Sequence, residues 1–247
     1  MHSSLTRIDH RPWELPSDPW TWRQSWCDLL FAHWPVPADA LRALVPPELK
    51  IQEFDGTSWL GIVPFRMEGV MRRPLPDLPW ISAFPELNVR LYVERDGKPG
   101  VWFLSLDATN PLAVWAARRF FHLPYFRARM NCRPNGAAIE YSSERAAAKP
   151  ARFTAAYEPT SEVYQASPGT LEHFLTERYC LYARHPDGPI FRTDVHHLPW
   201  PLQRAEAEIP INEMPASHGL KVKGPPALLH FARRIDVVVW SPLLVAV

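Results

Sequence analysis

Along this chain the apolar positions follow two periods, and the changes from one to the other mark out its elements. In NVRLYV, Val89, Leu91 and Val93 alternate with Arg90, Tyr92 and Glu94, the period of two that a β-strand imposes on its two faces. Asp96-Gly97 follows as a hairpin turn into GVWFLSLDA, since both residues tolerate the positive φ that such turns need. The earlier run SWCDLLFAHWPVP is strand-like and stops at Pro35, after which ADALRALVPPEL predicts a short helix ended by Pro46 and Pro47. KIQEFDGTSWLGIVPFRMEGV predicts a second hairpin about Asp55-Gly56.

Helical spacing returns in NPLAVWAARRFF, with Asn110 placed to cap the helix and Pro111 at its first position. From Tyr125, the runs YFRARMNC, AAIEYSSERA and ARFTAAYEP predict three strands, and TLEHFLTERYCLYAR predicts a helix from about Thr170 leading into a strand near Tyr179. PIFRTDVHHLPW, a short acidic-alanine turn, a loose PASHGLKVKGPP loop and a β-branched strand RRIDVVVW complete the pattern. The terminal VVVWSPLLVAV reads either as a last strand or as a contact in a homo-oligomer. Strands outnumber helices by about ten to three, which predicts an α+β, mostly β fold: a curved, mostly antiparallel sheet or barrel with a few helices packed outside. Residues 1–20 read as an N-terminal extension and 21–247 as one domain, a length that a single core supports.

Composition narrows the function classes. Apolar residues make up 47% of the chain and charged residues 21%, which suits a folded globular protein. The 27 cationic side chains are interleaved with 26 acidic ones for a net charge of +1, so no basic stripe is set out for nucleic acid. The residues before Trp20 hold Arg7, Asp9, His10, Arg11 and Glu14 and no apolar run of signal-peptide type. The longest uncharged apolar run, Val237 to Val247, falls short of the roughly 20 residues of a membrane span. Cys27, Cys132 and Cys180 have neither metal-type spacing nor an even count. The expected setting is therefore cytoplasmic, without nucleic-acid or membrane partners. Twenty-eight prolines against ten glycines predict many short elements with stiff joins.

Nucleophile elbows, phosphate loops, dinucleotide fingerprints and His-Glu-x-x-His are all missing from the sequence, so no metal and no cofactor is expected. The chemistry concentrates instead in ARRFFHLPYFRARM, residues 117–130. Arg118 and Arg119 stand about 100° apart on a helix. After Pro124 the period of two would place Tyr125, Arg127 and Arg129 on one face, toward an interior, and Phe126, Ala128 and Met130 on the other. Tyr125 and His122 are the candidate acid-base groups, although a histidine at a helix exit also serves its carbonyls. Arg118, Arg127, Arg90, Tyr92, Glu86 and Asp107 are the candidate ligand-binding residues, offering guanidinium, phenol and carboxylate to one cavity. His196 and His197, being adjacent on a strand, point to opposite faces, so one of them faces inward.

The ordered combination FPELNVRLYV, GKPGVWFLSLDA, ARRFFHLPYFRARM and LEHFLTERYCLY resembles the uncharacterised bacterial YqjF-like family, a domain-of-unknown-function group within the acetoacetate decarboxylase-like superfamily. The resemblance runs from about Trp26 to Trp240. It implies a cone-shaped antiparallel β-barrel with a central cavity. Acetoacetate decarboxylases carry Gly-Arg-Glu-x-x-Gly-Phe-Pro-Lys-Lys, in which the first lysine forms a Schiff base and the second depresses its pKa. Laid on this chain, Ala117 takes the first glycine, Arg118 matches the arginine, Arg119 replaces the glutamate, His122 replaces the second glycine and Pro124 matches the proline. Tyr125 and Phe126 stand where the lysines would be, and neither can form an imine. The five lysines, Lys50, Lys98, Lys149, Lys221 and Lys223, sit at a strand start, in turns and in a loop, which argues against Schiff-base decarboxylation. Three readings follow: a cavity that binds a small organic acid or carbonyl compound, a lysine-independent lyase or isomerase using Tyr125 or His122, or a structural or interaction module.

Overall fold

The computed structural model describes residues 2–75, 82–145 and 149–246. The chain opens with β1 (Trp22–Val36), α1 (Ala38–Arg42), β2 (Lys50–Ile51), β3 (Ser58–Arg72), β4 (Phe84–Arg95), β5 (Lys98–Ala108) and α2 (Pro111–Phe121). It continues through β6 (Tyr125–Arg127), β7 (Arg129–Asn135), β8 (Ala138–Arg145), β9 (Ala151–Pro159), α3 (Leu171–Thr176), β10 (Cys180–Arg184) and β11 (Ile190–His196). It closes with β12 (Gln203–Asn212), β13 (Leu228–Val239) and β14 (Leu243–Ala246). The strands form one sheet in the order β14-β11-β10-β5-β4-β3-β1-β13-β12-β9-β8-β7. A further pairing of β11 with β13, Val195 with Val239 and His196 with Val238, bends the run from β11 to β13 into a closed ring. No helix among the described residues is long and apolar enough to cross a membrane.

Two clusters of buried side chains divide the core. One lies inside the ring and contains Leu29, Phe31, Val63, Phe65, Phe103 and Trp200. The other lies between the outer face of the ring, with Leu60, Ile62, Leu87, Val89 and Leu91, and the wing of β8 and β9, with Ile139, Tyr141, Phe153 and Tyr157. Burial of β4 is therefore complete on both faces from Glu86 to Val93. Its Val89-Leu91-Val93 row packs outward under the wing, while Glu86, Asn88 and Arg90 point into the ring.

Two irregularities set which residues face inward. In β1 the register shifts between Cys27 and Ala32, and Asp28 takes φ 52°, the left-handed conformation of a bulge residue. Arg66 and Arg233 clasp its carboxylate at 3.0 and 2.7 Å. Before the bulge Trp22, Gln24 and Trp26 point inward; after it Leu29 and Phe31 do. In β5 the pairing with β4 steps from Val89–Ser105 to Arg90–Phe103, so Leu104 is the extra residue and the inward set changes from Val101 and Phe103 to Leu106.

Several expected elements are in place and several are redrawn. Asn110 Oδ1 accepts from the amides of Leu112 and Ala113 at 2.9 and 3.2 Å, with Pro111 first in α2. Asp96 and Gly97 turn β4 into β5 at φ 52° and 70°, and Thr170 caps α3. Asp55 and Gly56 do make a turn, closed by Phe54 and Thr57, but its two arms part: β2 pairs with β4 instead of β3. YFRARMNC is two strands, because β6 runs parallel to β5 and β7 leaves to pair with β8. The acidic-alanine segment is a strand, β12, whose apolar Ala205 and Ala207 pack inward while Glu206 and Glu208 face solvent. The terminal run is the end of β13 followed by β14 on the edge of β11, with Val247 outside the described residues. Ala146, the last residue of the predicted AAIEYSSERA strand, also lies outside them. Two pairings, β5 with β6 and β5 with β10, are parallel.

Candidate functional site

The ring encloses a cavity of about 170 Å³, walled by β1, β3, β4 and β5, by α2 and by the segments around Tyr125, Arg178 and Trp200. Alanines at 113, 116 and 117 turn the small face of α2 toward it, and that small face leaves the space open. Most of the wall is aromatic or aliphatic, with a few polar groups set into it: Gln24, Glu86, Asn88, Arg90, Tyr125, Thr176, Arg178 and His197. Apolar walls with sparse, placed polar groups are the composition of a small-ligand site.

At one end the Tyr125 hydroxyl donates to Glu86 Oε2 at 2.8 Å. Both residues are buried. Burial pushes the Glu86 carboxyl up to about 8, against the lowering effect of its hydrogen bonds to Tyr125 and Asn88. It also holds the Tyr125 phenol well above its ordinary value, with Glu86 adding to the effect. Near neutral pH the pair is thus a phenol and a largely neutral carboxylic acid. Since the single Tyr125 proton is committed to Glu86, the proton available to a third group is that of Glu86. Behind this pair, the Tyr141 hydroxyl donates to the Glu86 carbonyl oxygen at 2.7 Å and fixes the strand from the wing side.

At the other end stand two guanidinium groups with no carboxylate of the described residues in salt-bridge contact. Arg90 donates from Nη2 to Leu175 O at 2.9 Å and from Nε to the Tyr92 hydroxyl at 3.2 Å, and it stacks 5.0 Å from the Phe31 ring centroid. Arg178 donates from Nε to Phe174 O at 2.7 Å and from Nη1 to Gln52 Oε1. Burial pulls the Arg178 guanidinium down to about 10, which leaves it charged at neutral pH. Both guanidinium carbons lie within 5.5 Å of the Tyr92 ring centroid. His197 is the inward member of the histidine pair, and burial lowers its pKa. His196 points away, with Nε2 2.8 Å from the Ser4 carbonyl.

Of the residues singled out in the sequence, Tyr125, Glu86 and Arg90 share the cavity wall. Tyr92 lies beside them as a support, with its hydroxyl 2.6 Å from His33 Nε2. Arg118 is outside the cavity: its Nε donates to the Tyr125 carbonyl at 2.6 Å and its guanidinium covers Phe126, so it anchors the Tyr125 backbone. Arg119 lies exposed over Phe120. Arg127 is exposed, because β6 ends there and the alternation that would have carried it inward stops after one inward residue. His122 ends α2 at φ 55°, its amide donating to the Ala117 carbonyl, while its ring packs on His185 and Phe191 at 4.5 and 5.2 Å. It faces an open surface groove with Arg42 and Arg184. Asp107 is turned outward by the Leu104 bulge and is fully buried against Arg145 of β8, whose Nε donates to it at 2.8 Å. Asn88, Arg178, His197 and Trp200 were not singled out as ligand contacts. Asn88 was legible from the alternation of β4; Arg178 and Trp200 lie in irregular segments with no period to read.

All five lysines are described and none lines the cavity. Among the described residues no group of three or more His, Cys, Asp or Glu side chains is arranged to hold a metal ion.

Comparisons place this geometry among known proteins. The DUF2071 family, described as an uncharacterized conserved protein, matches residues 23–236. The uncharacterized protein YqjF of Bacillus subtilis (strain 168) is 46% identical over 234 residues, covering 95% of this chain and 96% of its own. Among solved structures, acetoacetate decarboxylase from Legionella pneumophila superimposes with a TM-score of 0.65 at 12% identity, over 100% of this chain and 96% of its own. The enduracididine biosynthesis enzyme MppR, solved with the condensation product of pyruvate and imidazole 4-carboxaldehyde, gives 0.67 at 13% identity over 93% and 90%. At such identities the likeness is one of fold, and the α+β, mostly β architecture is that of the acetoacetate decarboxylase-like proteins.

Proposed function

We propose that this chain, which belongs to the DUF2071 family, binds a small organic acid or carbonyl compound in its central cavity, with Glu86 and Tyr125 against the carbonyl oxygen. The observation that carries this reading is the Tyr125–Glu86 hydrogen bond, 2.8 Å long, inside an apolar wall. A neutral carboxylic acid backed by a phenol is a preorganised donor for a carbonyl oxygen, and exclusion of water strengthens it. The size of the cavity agrees: an apolar cavity of about 150 Å³ accommodates benzene, so about 170 Å³ admits a molecule of roughly six to eight non-hydrogen atoms. MppR, of the same fold, is solved with pyruvate, a molecule of that size. Imine chemistry is left without a nucleophile, since no lysine reaches the wall.

The test is a thermal-shift and calorimetric screen of small ketones, 2-oxo acids and 3-oxo acids. Binding that weakens as pH rises through about 8, and that becomes independent of pH in Glu86→Gln, is expected. A panel without a single binder, or a wild-type affinity flat from pH 6 to 9, overturns the reading.

A second reading, a lysine-independent lyase or isomerase, is favoured by one observation: burial pushes Glu86 up to about 8, where a carboxyl group both gives and takes protons near neutral pH. Deuterium wash-in at the carbon next to a ketone, followed by proton NMR, separates it from binding alone. Exchange at the rate of the buffer excludes it.

A further inference from the structure

Three polar atoms on the cavity wall are buried and lack a hydrogen-bond partner: Asn88 Oδ1, Arg178 Nη2 and Trp200 Nε1. Their residues are 8%, 7% and 2% exposed. Orphaned polar atoms at this depth are rare in folded proteins and call for a partner. Helix capping accounts for part of Arg178, because Nε satisfies the Phe174 carbonyl at the end of α3, and Gln52 takes Nη1. Nothing among the described residues takes Nη2. Trp200 is likewise explained only in part: its ring stacks on Trp26 and meets Phe31 edge-on at 4.8 Å, yet its N–H finds no acceptor.

These two donors belong to one neighbourhood. The Phe31 ring touches both Trp200 and the Arg90 guanidinium, the His197 ring lies 5.2 Å from Trp200, and His197 Nε2 is 3.3 Å from the Arg178 carbonyl. Two carboxylates stand near and both are engaged: Glu94 accepts from the Gln52 amide at 2.8 Å, and Glu177 accepts from the Trp200 backbone amide at 2.9 Å and from the Tyr179 hydroxyl. Arg178 Nη2 and Trp200 Nε1 are therefore left as donors without an acceptor among the described residues, and an anion supplies what is missing.

We propose that Arg178 Nη2 and Trp200 Nε1 form an anion subsite of the cavity, with Arg90 behind them, and that the molecule bound is a small monocarboxylate. The proposal rests on the cavity-binding reading above and fixes the charge of the ligand. The carboxylate sits at the Arg178–Trp200 end, and the Asn88 Oδ1 acceptor faces a hydroxyl or N–H on the same molecule. A second carboxylate would be buried against the apolar wall and the neutral Glu86 with no cation to pair it, so dicarboxylates are disfavoured.

The experiment uses the full chain and matched pairs of probes: propionate and propionamide, pyruvate and pyruvamide, 2-furoate and 2-furamide, each measured by ligand-observed NMR. Each carboxylate is expected to bind at least tenfold tighter than its amide. Arg178→Gln and Trp200→Phe should each weaken the carboxylates by roughly ten- to hundredfold, the range of a charge-assisted hydrogen bond, and leave the amides unmoved. If Arg178→Gln fails to fold by circular dichroism, Trp200→Phe and the wild-type acid-to-amide ratio decide. Acids and amides bound equally, with both variants silent, overturn the anion subsite and leave the cavity-binding reading standing. No binding by any probe overturns both.

Discussion

Replacing Glu86 by glutamine tests the central electrostatic statement about the cavity. Glutamine keeps the shape and the ability to accept from Tyr125 while removing the titration. In the folded protein the Glu86 carboxyl is pushed from an ordinary value of 4.5 up to about 8, with burial as the main cause. Between those limits the folded chain holds a proton that the unfolded chain has released, so stability falls as pH rises through the window. Below 4.5 both states are protonated and the contribution is fully present; above about 8 it is lost. At 1.36 kcal/mol per pH unit the window amounts to roughly 5 kcal/mol. Histidines work in the opposite direction: burial lowers His33, His197 and His230, so the unfolded state binds more protons and stability rises with pH up to 6.5. The difference between wild type and Glu86→Gln cancels these shared terms. Urea unfolding at pH 5, 6, 7, 8 and 9 should therefore show Glu86→Gln gaining on the wild type by about 1.4 kcal/mol per pH unit from pH 5 to 8, then levelling. Parallel curves for the two proteins would refute a neutral, buried Glu86.

Two further substitutions probe the supports of the site. Arg145→Leu leaves the fully buried Asp107 carboxylate without its cation and should cost about 3–5 kcal/mol in urea unfolding, most of it regained in the Asp107→Leu, Arg145→Leu double variant; equal loss in single and double variants contradicts the pairing argument. Gly61→Ala would set a Cβ 3.1 Å from Arg90 Cγ, 3.2 Å from the Tyr92 hydroxyl and 3.3 Å from His33 Nε2, so a loss of about 1–3 kcal/mol is expected from overpacking, together with weaker binding of the carboxylate probes as Arg90 is displaced. An unchanged urea midpoint would mean that these three side chains have slack.

How far the chain could be read is best seen in two strands. In β4 the alternation runs unbroken, and the polar row of Glu86, Asn88 and Arg90 points into the ring just as a period of two requires. In β5 the same rule fails after Leu104, because one extra residue reverses the faces and turns Asp107 toward Arg145. Nothing in WFLSLDA announces a bulge: its cause is the register of the neighbouring strand, which is tertiary. Arg127 was misplaced for a related reason, since a strand of three residues offers its alternation only once. Tyr125 was legible through the resemblance to the lysine-bearing motif, whereas Arg178 and Trp200 reach the cavity from irregular segments more than fifty residues away. The fold class followed from the density of strand signals, and the ring closure did not, because two residue pairs between distant strands leave no local mark.

That closure makes the ring mechanically uneven. β13 pairs with β1 continuously from Trp22 to Cys27 and again from Leu29 to His33, but it meets β11 only through Val195–Val239 and His196–Val238. A short ladder opens at less cost than a long one, and opening it leaves the remaining ladders of the ring intact. In hydrogen–deuterium exchange the amides of this seam, and of the equally short ladder between β5 and β10, should therefore lose protection well before those at the centre of β1 and β4.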